Sequence, residues 1–506
     1  MKTLRILLTI CFGLSAATLV AQSRHYNSRT LGMGGGGTAI IDGYHANFLN
    51  PANLMLDDGR TPKTQLGLVG GVGVRTGGSL LNVSVYNQYL TKGLTIDGTI
   101  RENMLNDWFG AESSNMKEFS TSVDVVPFGF SRRAGKQAIG LAARARVIND
   151  MSLSKGFAEL LFYGLDSDKF SSPVALDMTE EVVGYMEFSL GYARSLPVPL
   201  KKVFTALPFI NDMKLYAGVA PKYLVGLQSA EFDFNSTLQI DPADQFGNSI
   251  THDFDYSIYS YGDLSKQLSR FARDHSSASN PADVKLNDYI SEYDGSDVGS
   301  VGSGFAWDLG VTAELDVSLP IISVLSKKQT LRISMSATDL GSITYDKNAS
   351  RVYADDAFIF NADLGDDSPG DYFDALPDSL QNHVYGAVSS QSTKGKKITL
   401  PGMYNFGAAL IMGKLTTTLD YGVGFNDYGT NSKRSTLTLG AEYRFLGFIP
   451  LRVGTRIGGY ASTAYSAGIG IDLRFLELSV SAATVANSES DGSSAAVAVS
   501  GLLFRF

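Results

Sequence analysis

Residues 305–319 read FAWDLGVTAELDVSL, and their reading decides the fold. Phe305, Trp307, Leu309, Val311, Ala313, Leu315, Val317 and Leu319 fall on one parity; Ala306, Asp308, Gly310, Thr312, Glu314, Asp316 and Ser318 fall on the other. Such a period of two is a strand with one apolar and one polar face. Fifteen residues is also far longer than the usual five or six of a soluble strand. The same alternation returns at 331–338, 415–423, 437–445, 451–457, 465–473 and 476–482. The polar partners in these copies are small or charged, among them Glu442, Arg444, Arg452, Arg456, Asp472 and Arg474. A soluble sandwich would use shorter strands and bury its apolar faces against each other. Long strands with a lipid-like face and a wet face predict a transmembrane β-barrel.

Composition agrees. Gly 53 against Pro 15, with Tyr 24 and Phe 28, favours strands and tight turns over helices. A formal charge of −9 argues against nucleic acid as a partner, because phosphate neutralisation needs a basic face. Residues 1–21 place Lys2 and Arg5 ahead of an apolar stretch and end on small residues up to Ala21, as a secretory signal does. The only cysteine, Cys11, lies in that leader, so the exported chain would have no thiol chemistry. Beyond the leader no apolar run reaches the 18 residues that a membrane helix needs.

Outside the leader, strands are expected near 79–90, 120–131, 137–148, 182–195, 213–228, 304–318, 329–340, 401–411, 414–425, 434–445, 451–461, 464–474, 476–487 and 494–506. That is fourteen, the even number of a single-chain barrel. The apolar run 65–74 breaks the parity unless it is a bulged extension of the first strand through Gly77 and Gly78. Compact connections fall at 131–136, 320–328, 412–414, 446–450 and near Phe475, and 196–212 is a longer, proline-rich turn on the same side. Long polar loops fall at 91–119, 149–181, 229–303 and 341–400, the extracellular side of such a barrel. Trp307, Tyr185, Tyr421, Tyr443, Phe445 and Phe448 are candidates for aromatic girdles. The last strand closes on Leu502, Phe504 and the terminal Phe506, similar to the end signal of outer-membrane barrels.

Behind the leader the chain runs Leu31-Gly32-Met33-Gly34-Gly35, then Asp42-Gly43, then Asn50-Pro51-Ala52. This resembles the N-terminal hatch of the FadL-type family of outer-membrane barrels, which take up fatty acids and other hydrophobic compounds. It also resembles related barrels of uncharacterised role, some linked to type IX secretion; 304–311 and 337–341 look like strands of that wider group. The resemblance implies residues 22–63 as a hatch inside a barrel formed by 64–506, with Gly34, Gly35, Asn50, Pro51 and Ala52 as gating positions. Glycines allow close approach and positive φ, Pro51 suits the first turn of a helix, and Asn50 can cap it.

Chemistry-bearing motifs are few. Gly32-x-Gly34-x-x-Gly37 follows no strand, so it is no dinucleotide site. None of the five histidines is followed by Glu, and no G-x-S-x-G elbow occurs, so no enzyme, metal or cofactor is expected. His25 and His45 could meet in a folded hatch, but isolated polar histidines are the simpler reading. The eight aspartates between Asp355 and Asp378 read as a solvated loop, with a divalent cation bridging to lipopolysaccharide phosphates as the sharper reading. Arg144, Arg146, Arg332, Arg444, Arg452, Arg456 and Arg474 are placed inward, to pair with Asp308, Glu314, Asp316, Asp420, Glu442, Asp472 and Glu477.

The expectation is therefore an outer-membrane channel set among lipid and lipopolysaccharide. It would admit a small hydrophobic compound by passive diffusion as the ligand shifts the hatch. The alternative is a barrel that anchors or hands over surface or secreted proteins without transport, which the loops 229–303 and 341–400 favour.

Overall fold

The computed structural model describes residues 27–57, 63–90, 98–163, 168–197, 209–244, 247–279, 284, 288–289, 299–319, 326, 329–362, 389–428, 431–459, 463–473, 475–485 and 493–506. Its strands are β1 (Thr64–Gly78), β2 (Met116–Ala134), β3 (Gln137–Ser154), β4 (Val174–Ala175), β5 (Met178–Leu196), β6 (Ile210–Asp244), β7 (Gly247–Ser260), β8 (Gly302–Val317), β9 (Gln329–Tyr345) and β10 (Ser350–Ala362). They continue as β11 (Ser389–Ser392), β12 (Lys396–Thr399), β13 (Met403–Met412), β14 (Leu415–Gly424), β15 (Thr436–Phe445), β16 (Ile449–Gly458), β17 (Thr463–Leu473), β18 (Leu476–Val485) and β19 (Ser493–Arg505).

Fourteen of these form the wall: β1, β2, β3, β5, β6, β8, β9 and β13 through β19, each antiparallel to its neighbours. Pairing of β19 with β1, from Gln65 opposite Arg505 to Gly78 opposite Ser493, closes the sheet on itself and removes both edges. Both wall termini and the tight hairpins lie at one end. Backbone of positive φ makes these turns, as at Gly413 (+64°) and the Leu446–Gly447 pair (+50° and +85°).

The first strand differs from expectation. The run 65–74 is itself β1, and 83–90 forms helical turns instead of a strand. The break in β1 lies between Leu68 and Gly71, earlier than Gly77 and Gly78, with Val69 at φ +52°. The total of fourteen survives because one apolar run replaces the other.

The parity rule holds along β8 through the middle of the wall: Phe305, Trp307, Leu309 and Val311 are 39–68 % exposed on the outside, while Asp308 and Thr312 are fully buried inside. It fails at the short-turn end, where Leu315 and Val317 are buried with Ile210. Trp307, Tyr421, Tyr443, Phe445 and Phe448 face outward as girdle candidates should. Tyr185 does not: it is buried inside the barrel, where Arg146 donates to its hydroxyl at 3.1 Å.

The long connections 229–303 and 341–400 are only partly loops. β6 runs 35 residues and leaves the wall, so that its distal half pairs with β7, β7 with β10, and β10 with β11. One small core joins Leu160, Phe170, Val174 and Leu176 to Leu238 and Ile240 of β6. A helix over Gly262–Ser277 packs Leu268, Phe271 and Ala272 with Val352 of β10. The 3.6-residue spacing of those apolar positions explains the helix. Of the acidic run, Asp355 and Asp356 fall in β10 and Asp363 to Asp378 lie outside the described residues.

Candidate functional site

The space enclosed by the wall holds residues 28–56. A helix over Ser28–Gly32 starts on Asn27, whose side chain accepts from the Thr30 N–H at 2.9 Å. Gly34 and Gly35 follow at φ +87° and +84°, turning the chain so that the Gly34 N–H donates to Ser466 Oγ at 2.8 Å. Next, the Thr38 N–H donates to Asp420 Oδ1 at 2.8 Å. A short helix over Pro51–Met55 has Asn50 as its cap, with Asn50 Oδ1 accepting from the Ala52 N–H at 3.2 Å. The Asn50 amide also donates to Thr38 O and to Thr312 Oγ1 of β8, both at 3.0 Å. Asn50, Pro51 and Ala52 are fully buried. A side chain there that lost these partners would leave polar groups unpaired, at about 1–3 kcal/mol each.

The inward charges form separate groups. In the largest, Arg144 pairs with Glu187 at 2.8 Å, Arg146 with Asp124 at 3.0 Å and Asp339 at 3.1 Å, and Lys222 with Asp308 at 2.7 Å. Lys222 also meets Asp339, and Arg75 pairs with Asp124. Four cations thus face four anions, each at most 3 % exposed. Phe48 of the inner segment lies beneath, its ring centroid 4.5 Å from the Arg144 guanidinium. The group reaches from β1 to β9. Asp339 sits at φ +55°, where the β8–β9 register breaks, and its N–H donates to Asp308 Oδ1 at 2.7 Å. A non-glycine residue held there costs energy that its surroundings must supply.

A second group, on the far side of the wall, includes the segment itself: Arg29 pairs with Glu442 at 3.2 Å and reaches Asp42 at 3.7 Å. Arg452 pairs with Glu442 at 2.8 Å, Arg444 with Glu442 and Asp472, and Arg505 with Asp472 and Glu477. Apart from both groups, Glu314 pairs with Arg332 at 2.8 Å and with Lys214 at 3.5 Å.

Several pairings expected from sequence are therefore redirected. Arg144 and Arg146 meet Glu187, Asp124 and Asp339, none of which was among the expected partners. Arg456 is buried beside a cavity of about 10 Å³, room for about one water, with Leu31, Gly34 and Ser466. Arg474 lies outside the described residues. Sequence reading missed Arg75, Asp124, Glu187, Lys222, Asp339 and Arg505. Parity marks Asp124 and Glu187 as inward once register is known, since Asp124 stands directly opposite Arg146 and Glu187 opposite Arg144.

Toward the long-loop end the inward positions turn apolar. Ile148, Val183, Tyr185, Leu224, Ala306, Ile343 and Tyr345 pack into one cluster just beyond the eight charges. Down β3, β5 and β6 the inner face thus passes from apolar to charged to small residues. Among the described residues no group of His, Cys, Asp and Glu has the geometry of a metal site. His45 is buried against Tyr44, while His252 and His275 lie in β7 and in the helix after it; His25 and His383 lie outside the described residues.

These features define a class: a closed antiparallel barrel of fourteen strands with its own N-terminal segment in the lumen. The chain belongs to the family of unknown function DUF5723, whose model matches residues 59–484. No curated protein matches it. Similar solved structures are low in identity; they include hydrocarbon channels, a FadL homologue and the translocator domain of an autotransporter. The toluene transporter TodX of Pseudomonas putida is 10 % identical at a TM-score of 0.46, covering 96 % of this chain and 99 % of that one. The toluene transporter TbuX of Ralstonia pickettii is 13 % identical at 0.41, with 96 % and 99 % covered. A FadL homologue of Pseudomonas aeruginosa is 11 % identical at 0.39, with 96 % and 98 % covered.

Proposed function

We propose that this protein is an outer-membrane barrel that admits small hydrophobic compounds by passive diffusion, and that the conformation described is its closed state. Residues 1–21 would direct export, and 22–63 would close the lumen, held through Gly34, Gly35, Asn50, Pro51 and Ala52. The observation that carries the reading is the apolar cluster of Ile148, Val183, Leu224, Ile343 and Tyr345 inside the wall, packed shut by Tyr261, Val301, Ile398 and Leu400. A water-filled pore lines its interior with polar groups; an apolar cluster at the long-loop end would become a landing place for an apolar solute when those covering residues part. Below it, eight buried charges and the inner segment oppose the passage of hydrated ions.

The test is uptake of the apolar dye N-phenyl-1-naphthylamine into proteoliposomes whose lipopolysaccharide-containing leaflet slows its free entry. Faster entry with the protein than without supports the reading, and Leu224→Lys should return the rate to the protein-free level. Equal rates for a panel of apolar dyes would defeat it.

A second reading is favoured by one observation, the sheet extension of β6, β7 and β10 with its own small cores. A pore has no need of so large a structured cap, whereas a barrel that anchors or hands over surface proteins has. That reading expects a co-purifying partner and lost surface proteins on gene deletion, with dye uptake unchanged.

A further inference from the structure

Besides Gly226 and Gly302 at the long-loop end of β6 and β8, which abut Tyr345, the wall carries four deeper places where two glycines stand directly opposite each other on neighbouring strands: Gly67 and Gly129 on β1 and β2, Gly140 and Gly191 on β3 and β5, Gly218 and Gly310 on β6 and β8, and Gly440 and Gly454 on β15 and β16. A cross-strand pair of side chains is the unit that stabilises a sheet, and a glycine within a strand weakens it. Four such bare pairs in one barrel need a reason.

Each of the four deeper pairs seats one part of the inner segment. A Cβ at any of the eight positions would come within 3.0 Å of it: Tyr44 at the first pair, Asn47 and Leu54 at the second, Asn50 to Ala52 at the third, Met33 and Gly34 at the fourth. At Gly218, Gly440 and Gly454 the obstacle is backbone, which cannot swing aside as a side-chain tip can. Between the seats, the bonds from Thr38 to Asp420 and from Asn50 to Thr312 tie the same segment to β14 and β8.

We propose that the N-terminal segment is a permanently seated core of the barrel, keyed into four cross-strand glycine pairs, and that it does not shift as a hatch when a compound arrives. Withdrawal would leave four bare windows in the wall and strip several buried hydrogen bonds at once. A ligand can move the segment only by as much as its affinity differs between the seated and unseated states. The cluster that would receive an apolar compound lies on the other side of the charges and makes no such difference. Only this last step rests on the proposed transport; the seating stands on geometry.

Amide hydrogen exchange of the full chain in lipid nanodiscs tests it, with and without saturating N-phenyl-1-naphthylamine. Amides of residues 30–56 should exchange within about tenfold of those in β3, β6 and β16, and the dye should not change that. Exchange 100-fold faster than the wall, either at rest or on adding dye, overturns the proposal. Gly218→Ala and Gly454→Ala, in barrels that still run as folded on unheated gels, should raise segment exchange at least 100-fold. Gly184→Ala, whose added carbon meets nothing closer than 3.8 Å, should not. Unchanged protection in both seat variants also overturns it. If those variants do not fold, the native chain's exchange decides alone. Failure of dye uptake would remove the transport reading and leave the exchange result to judge the seating.

Discussion

Asp339 gathers more of this protein's chemistry than any residue that the sequence alone singles out. Its carboxylate meets Arg146, Lys222 and Arg144, while its backbone holds a left-handed conformation and donates to Asp308. Removing one member of a buried, balanced set leaves an uncompensated charge, typically a loss of 3–5 kcal/mol, whereas replacing both members by apolar groups costs far less. Asp339→Leu should therefore destabilise the barrel by about 3–5 kcal/mol, read as a lower urea midpoint for conversion to the unfolded gel form. The double change Arg144→Met with Glu187→Met should cost less than either single change, measured the same way. Arg144 and Arg146 of this group were visible in sequence by parity, and Arg75 was not. Their partners were not, because Glu187 lies 43 residues from Arg144 and only the strand register sets them face to face.

Strands were legible in proportion to the contrast between their faces. β8, β14 and β15 alternate apolar with polar and fell where expected, whereas β1 is rich in glycine and its alternation is broken at Val69, so the pattern at 79–90 was mistaken for it. β7 and β10 escaped notice for a different reason. Beyond the wall β7 pairs with β6 and β10 with β7, and one helix packs on them, so they carry aromatic and acidic residues together rather than a lipid-facing row. That extension makes its own pH prediction. His252 of β7 is buried beside Phe234 and Phe254, and burial lowers its pKa from 6.5 to about 4. The unfolded chain then binds the proton first as pH falls. Stability of the cap is full above pH 6.5, declines by up to ~1.4 kcal/mol per pH unit below it, and levels off below about pH 4. Protection factors of β7 amides, taken relative to intrinsic exchange at each pH, should fall over that window in the native chain and stay flat in His252→Phe.

The barrel as an object presents a belt of exposed Phe305, Trp307, Leu309, Val453 and Ile469 around a filled interior that is apolar toward the long-loop end and charged below it. Without detergent or lipid the purified chain should aggregate, and in detergent it should sediment as one species; a monodisperse chain in plain buffer would contradict the outward apolar belt. The period of two, read from sequence, determined that there is a barrel, where most of its wall strands lie and which end carries the long connections, because each depends on residues near one another in the chain. The resemblance already implied 22–63 inside the barrel; tertiary structure alone decided how that segment and its surroundings pack. The apolar cluster, the eight-charge group and the four glycine seats each gather side chains from several strands, and the strand register stacks them at successive depths inside the closed wall.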